Sequence, residues 1–166
     1  GLQGLRIDLE GHGREELFEE LDVSRTVGWF TTIFPVLLVA NADEPLAQSI
    51  IASKEWLRRV PRHGIHHGLL RYLAPEATRS CLAQVAPAEL TFNYLGRFAA
   101  DPGSSVFARE ADEAPGPPFD PGERRRYLLE LNAWVSAGAL TLSFTYSPAL
   151  HRSATVQTLA DSLAEE

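Results

Sequence analysis

The chain opens with a regular alternation of apolar and polar residues. Over 5–12 every second residue is apolar, which is typical of a β-strand with one buried face. The same alternation places Glu10 and His12 on the polar face of the predicted strand. Gly11 lies between them and Gly13 follows, which leaves room for another backbone or a ligand to come close.

Two segments with different periods follow this strand. Apolar residues over 14–21 recur at helical spacing, which predicts a short helix that turns Leu17, Phe18 and Leu21 inward. Residues 27–39 combine β-branched and aromatic side chains without a helical period. This second segment predicts a strand, or a strand with a buried loop, interrupted at Pro35.

The clearest helical period covers 41–60. Asn41 or Asp43 is expected to cap this helix, and Pro45 falls near its first turn. Pro61 would end it, because a proline ring clashes with the preceding turn of a continuing helix.

The remaining elements are read from the same periodicities. They are a segment over 63–73 that is irregular at first and then helical, a helix over 76–85, a short strand over 90–95, a loop rich in proline and glycine over 101–122, a hairpin with strands 127–135 and 139–146, and a helix over 154–164. Strands and helices are intermixed along 166 residues, a length suited to one domain. The predicted fold class is therefore α/β, an α+β sandwich with a mixed β-sheet and flanking helices.

Composition excludes several classes of function. A net charge of −7 argues against general nucleic-acid binding. The basic triplet 124–126 is either a solvated strand entry or a contact patch for an acidic partner. The apolar run over 33–40 is too short to span a membrane.

The N-terminus and the cysteine content bear on where the protein works. Cys81 is the single cysteine, so no internal disulfide can form, and we expect a reducing, cytoplasmic location. The chain has no methionine and opens directly into a strand pattern. We therefore expect it to be a piece of a larger polypeptide.

Glu10 and His12 are the first candidates for chemistry. A carboxylate beside an imidazole in a glycine-lined space has the groups that proton transfer needs. The alternative is that both belong to the solvated face of an edge strand. Further along, Asn93 lies on an otherwise apolar strand and must find a hydrogen-bonding partner, either backbone or ligand.

Two other clusters have simpler explanations. Gly28, Trp29 and Phe30 either line a channel or fill a core. The three histidines of the 63–67 segment raise the possibility of a metal site. No carboxylate or cysteine lies at ligand spacing beside them, so we expect no metal there.

Taken together, these segments resemble the epimerization domains of nonribosomal peptide synthetases. EGHGRE (10–15), RTVGWFTTIFP (25–35) and FNYLGRF (92–98) are similar to the fourth, fifth and seventh core motifs of that family. PRHGIHHG (61–68) is the counterpart of the sixth, P-x-x-G-x-G-Y-G, with His66 and His67 in place of the usual Gly and Tyr.

The resemblance implies a fold like that of chloramphenicol acetyltransferase, with two α/β lobes and a tunnel between them. Residues 1–166 would form the C-terminal lobe, and the HHxxxDG motif of the N-terminal lobe is absent. The pair at 66–67 does not supply that motif. No Asp-Gly follows it, and it comes after the fifth motif instead of before the fourth.

The activity implied is inversion, from L to D, of the Cα centre of an aminoacyl or peptidyl thioester in antibiotic and other secondary-metabolite biosynthesis. The substrate would arrive on the 4'-phosphopantetheine of a peptidyl carrier protein, with no cofactor or metal bound by this lobe. Its partners would be that carrier, the N-terminal lobe and neighbouring synthetase domains, with no nucleic acid and no membrane.

The resemblance also assigns residues. Glu10 would be the catalytic acid or base, and we expect partial burial to raise its pKa. The members of the substrate-binding set would have three roles. Asn93 and Tyr94 would orient the thioester, and His12 and Arg14 would fix Glu10 or hold the local backbone. The tunnel floor would be formed by Gly28, Trp29 and Phe30.

Two other functions remain open. One is a condensation-type lobe that takes part in amide formation. The other is a catalytically inert lobe that only docks a carrier protein. An isolated lobe would expose apolar surface, so we expect self-association when it is made alone.

Overall fold

The computed structural model describes residues 2–41, 43–98, 116, 120 and 122–165, so the predicted loop over 101–122 lies mostly outside the described residues. The elements in chain order are β1 (Leu2–Gly11), β2 (Thr32–Asn41), α1 (Leu46–Arg58), a 3₁₀ turn (Pro61–Gly64), α2 (His66–Tyr72), α3 (Glu76–Ala83), β3 (Leu90–Phe98), β4 (Leu129–Ser136), β5 (Ala139–Tyr146) and α4 (Ser153–Glu165).

The strands form one mixed sheet in the order β2-β1-β3-β4-β5. β1 pairs antiparallel with β2 and parallel with β3, and β4 pairs antiparallel with β5. A mixed sheet with flanking helices was predicted from the sequence and is confirmed. The chain divides into two compact units, Gly1–Asn93 and Tyr94–Glu166, and the boundary falls within β3.

The first unit is built on the apolar face of β1 and β2. Ile7, Phe34 and Val36 are buried there. Partly buried apolar residues pack against them: Leu9, Leu38, Val60, Leu90 and Phe92. Each fully buried aliphatic or aromatic side chain stabilises the unit by about 1.5–3 kcal/mol. The opposite face of the same strands carries Glu10.

β2 differs from the strand predicted over 27–39. It begins at Thr32 and runs through Pro35, which pairs with Asp8 and does not interrupt it. Among the described strands β2 is at the sheet edge, where a residue without an N–H is tolerated. The residues before it are not in a strand, and Val27 is fully exposed.

The helix predicted over 14–21 is wrong. Residues 12–31 form a loop with two short turns, and Phe18 and Leu21 are exposed. The physical reason lies in Arg14, whose guanidinium bonds to backbone carbonyls of Val23 and Gly28 and gathers the segment into a loop.

The cap predicted for the next helix is also wrong. α1 begins at Leu46, and its cap position is Pro45, without a side-chain hydrogen bond. Neither predicted residue occupies the cap position: the backbone of Asn41 belongs to β2, where it pairs with Leu2, and Asp43 lies two residues before Pro45. The other helices agree with their predicted positions to within a few residues.

The second unit contains the predicted hairpin. Ala137 and Gly138 join β4 to β5 with φ values of 50° and 81°. Two successive positive φ angles are those of a type I′ turn, whose twist matches the flanking strands. α4 buries Val156, and Tyr127 and Ala133 are also buried. None of the helices among the described residues is long and apolar enough to cross a membrane.

Candidate active site

Glu10 and Asn93 meet on the polar face of the first unit. The parallel register pairs Leu9 with Phe92, so the next residue of each strand lies beside its neighbour on the other face. The Asn93 side-chain Nδ2 donates a hydrogen bond of 3.0 Å to Glu10 Oε2, and both residues are partly buried. The partner of Asn93 was expected to be backbone or ligand, and the structure shows instead the side-chain carboxylate of Glu10.

The residues before this pair continue the polar face. Asp8 and Thr91 are both buried, and the Thr91 hydroxyl donates to the Asp8 carbonyl oxygen over 3.2 Å. On the other side, β2 places Pro35 opposite Asp8 and Ile33 opposite Glu10. Glu10 is thus flanked by an apolar residue on one strand and by an amide on the other.

His12 was predicted to share the polar face of β1 with Glu10, and this is wrong: the strand ends at Gly11, and His12 lies just past its end and is exposed. Its Nδ1 accepts a hydrogen bond of 3.0 Å from the backbone N–H of Arg14, and its Nε2 lies 3.4 Å from Glu15 Oε1. Because Nδ1 is the acceptor, the ring proton is on Nε2, which faces the carboxylate. His12 is therefore tied to the residues that follow it in the motif.

Glu15 makes a contact with His63 that the sequence did not reveal. Its Oε2 lies 2.9 Å from His63 Nδ1, and Arg62 donates to the Glu16 carbonyl oxygen over 3.0 Å. Arg62 and His63 both have positive φ angles, 47° and 50°, which cost energy in non-glycine residues. These bonds hold the strained Pro61–Gly64 turn against the segment after Glu10.

The three histidines of the 63–67 segment do not form a recognisable metal site among the described residues. In the part of the chain that the structure describes, no group of three His, Cys, Asp or Glu side chains has the arrangement that holds an ion. His63 instead contacts Glu15, 48 positions away in the sequence. Only tertiary structure brings these two together, so no local pattern could have identified them.

Arg14 holds the loop that carries Gly28, Trp29 and Phe30. Its Nη1 donates to the Val23 carbonyl, its Nη2 donates to the Gly28 carbonyl over 3.1 Å, and its Cζ lies 4.3 Å from the centroid of the Phe30 ring. Arg14 was expected either to fix Glu10 or to hold the local backbone, and these contacts are with the backbone of its own loop. Its part in substrate binding stays a prediction.

The two aromatic residues of the loop around Arg14, Trp29 and Phe30, differ in their exposure to solvent. Phe30 is partly buried beneath the guanidinium, whereas Trp29 is 88% exposed. At the loop's second turn, hydrogen bonds from the side chain and the backbone of Ser24 lower the pKa of Asp22. A cavity of about 780 Å³ is lined by residues of the 12–24 loop and by Arg62, but not by Glu10. The predicted tunnel floor stays a prediction.

Tyr94 begins the second unit, and its side chain is 50% exposed. Its predicted role in orienting a thioester also stays a prediction.

Comparison with known families identifies relatives over nearly the whole chain. The Condensation domain family matches residues 3–165. Chondramide synthase cmdD of Chondromyces crocatus is 44% identical over 97% of this chain and 4% of its own length. Tyrocidine synthase 2 of Brevibacillus parabrevis is 39% identical over 96% of this chain and 4% of its own length. The chain thus spans a small fraction of either relative.

Solved structures show the same fold. The epimerization domain from the third module of tyrocidine synthetase B superimposes with a TM-score of 0.84 at 37% identity, covering 98% of this chain and 35% of that one. The first condensation domain of the CDA synthetase gives a TM-score of 0.54 at 14% identity, covering 95% of this chain and 32% of that one. This second likeness concerns the fold alone.

Proposed function

Since this chain belongs to the Condensation domain family, we propose that it is the C-terminal lobe of an epimerization domain of a nonribosomal peptide synthetase. Its substrate would be an aminoacyl or peptidyl thioester on the phosphopantetheine arm of a carrier protein. The product would be the same thioester with the opposite configuration at Cα, in the assembly of an antibiotic or a related secondary metabolite.

The reaction removes one proton from Cα and returns one proton to it from the opposite face. A base takes the α-proton, and the electron pair of the C–H bond passes into the thioester as an enolate. An acid then delivers a proton to the opposite face of the same carbon. Two groups on opposite sides of the substrate meet this need. Glu10 is the group that this lobe supplies, and the N-terminal lobe supplies the other.

The observation that carries the proposal is the position of Glu10. Its carboxylate is partly buried on the polar sheet face, held by Asn93 and bordered by the apolar strand β2. A partly buried carboxylate held by a donor is suited to proton transfer, because its orientation is fixed before substrate arrives. The likeness to a solved epimerization domain over 98% of the chain supports the same function.

Exposed apolar side chains beside Glu10 are evidence for a second lobe that covers this surface. Leu37 and Val39 alternate with the core residues of β2 and lie on the Glu10 side of the sheet, 46% and 56% exposed. Apolar side chains around a polar site are typical of a surface that another body covers. We propose that the N-terminal lobe covers it, and that neighbouring synthetase domains and the carrier are the remaining partners.

A condensation-type lobe is the second candidate. The family and the fold both include condensation domains, so amide formation between two carrier-bound groups is compatible with the sheet and its helices. An inert docking lobe is a third possibility. Proton exchange at Cα separates these functions, because amide formation does not require it.

The test is α-proton exchange in the complete two-lobed domain. A carrier protein is loaded with an α-deuterated aminoacyl thioester, and loss of deuterium is followed by mass spectrometry. We expect rapid exchange in the parent protein. In Glu10→Gln we expect a fall of about 10²–10⁴-fold, the usual contribution of a general acid or base.

Glu16→Gln is the matched control. It removes one negative charge six residues further along, at an exposed side chain, and should leave exchange near the parent rate. A parent domain that shows no exchange with a fully loaded carrier would rule out epimerization and leave the condensation or docking function. Equal losses in both variants would show that Glu10 has no special role.

A further inference from the structure

We infer that Asn93 is a positioning residue that acts through Glu10, and that it does not bind the thioester directly. This inference rests on the proposed function and concerns how the carboxylate of the same site is prepared. Asn93 was predicted from the sequence to contact substrate. The geometry points to the carboxylate instead.

The contact is fixed by the backbone of two strands. The parallel register of β1 and β3 places Glu10 next to Asn93, and the two side chains meet at 3.0 Å between Nδ2 and Oε2. Both strands also pack against the buried core of the first unit, through Leu9 and Phe92 on the opposite face. The pair is therefore held by packed secondary structure, and a partly buried amide and carboxylate remain aligned without substrate.

The amide donor has a definite electrostatic consequence. A hydrogen bond donated to a carboxylate stabilises its ionised form and fixes the direction of its oxygens. Asp8 precedes it on the same face and His12 follows the strand end, while Ile33 and Pro35 on β2 carry no charge. Loss of the amide should therefore raise the pKa of Glu10.

The experiment measures the pH dependence of α-deuterium loss in the complete domain, at saturating and at limiting concentrations of loaded carrier. In Asn93→Ala we expect kcat to fall about tenfold, because the orientation of the Glu10 carboxylate is lost. We expect the limb of the profile that depends on Glu10 to move upward by about one pH unit. KM for the carrier should change little. Glu10→Gln identifies the limb, because the limb disappears in that variant.

Asn93→Asp tests the donor without changing the size of the side chain. It replaces the amide with a second carboxylate, so like charges adjoin and the limb should move further upward than in Asn93→Ala. In the Glu10→Gln background, Asn93→Ala should add little further loss, because the group through which Asn93 acts is already gone.

Thr91→Val is the matched structural control. Thr91 lies two residues earlier on the same face of β3, is buried, and bonds to the Asp8 backbone. Its loss should lower stability without moving the pH profile. The titration midpoint of ¹³C-labelled Glu10, followed by NMR without substrate, gives a second readout for any variant that folds but turns over slowly.

The outcomes separate the inference from the proposed function. A raised midpoint in Asn93→Ala, by kinetics or by NMR, supports positioning. An unchanged midpoint with a raised KM for the carrier would overturn it and return Asn93 to thioester binding. A parent domain without exchange would overturn the proposed function, and this inference with it.

Discussion

Gly64 occupies a position that a side chain cannot share. Its φ is +80°, and a Cβ there would lie 2.1 Å from Cγ of Phe34, a buried core residue. Gly64→Ala should therefore reduce the free energy of unfolding of the complete domain by at least about 2 kcal/mol, through strain and displacement of the ring. Chemical denaturation measures the change.

Gly68 is the matched control for this substitution. It belongs to α2, its added Cβ would meet nothing within 4 Å, and a helical alanine is favoured over glycine. Gly68→Ala should raise stability by about 0.5–1 kcal/mol. If Gly64→Ala does not lower the free energy of unfolding relative to Gly68→Ala, the packing of the Pro61–Gly64 turn on Phe34 is wrong.

Individual residues could be predicted from the sequence only where a local rule applied. Asn93 had to find a partner because an amide on an apolar strand requires one, and Glu10 was singled out by alternation and by the family motif. That these two are partners depends on the register between strands 83 positions apart. The Glu15–His63 contact likewise needs the tertiary fold, and no spacing in the sequence records it.

Among the elements, the β4–β5 hairpin offers the clearest test of turn chemistry. Ala137 has φ of 50°, a left-handed conformation that alanine adopts at a cost, whereas Gly138 at 81° adopts it freely. Ala137→Asn should stabilise the domain by about 0.5–1 kcal/mol, and Gly138→Ala should destabilise it by about 1 kcal/mol.

Thermal and chemical unfolding of the two variants check this pair of expectations. Both lie at an exposed turn that the proposed chemistry does not use, so α-proton exchange by the folded protein should be unchanged. Opposite signs for the two substitutions are the required result, and equal effects would contradict a type I′ turn.

Elements with a strict period were predicted well. The hairpin strands and α4 have alternation or helical spacing that burial imposes, and their observed bounds agree with the predictions to within two residues. β1 was also predicted from its alternation, but it begins three residues earlier, at Leu2, and ends at Gly11, before His12. The 14–21 segment has helical spacing too, but the side chain of Arg14 draws the backbone carbonyls of Val23 and Gly28 toward itself. A long-range contact of this kind outweighs a weak local period.

At the scale of the whole molecule, exposed apolar residues are spread over several elements of the first unit. On α1, Ile50 and Ile51 are 58% and 60% exposed, and on β2, Leu37 and Val39 are 46% and 56% exposed. The β2 residues favour association for a further reason, because the backbone N–H and C=O groups along an edge strand can pair with another chain. The proposed second lobe would cover the Glu10 side of that strand.

We therefore expect the 166-residue chain, made alone, to self-associate through β2. Sedimentation velocity at increasing concentration should show dimers or larger species. Leu37→Lys with Val39→Lys should restore a monomer, because charges on an edge strand oppose strand pairing.

The matched control for this prediction is Ile50→Lys with Ile51→Lys on α1, which removes similar apolar area away from the edge strand. It should leave the association in place. A monomeric parent chain would contradict the prediction of an uncovered lobe surface. Recovery of monomer by the α1 substitutions alone would keep the association but move its site from β2 to the helix.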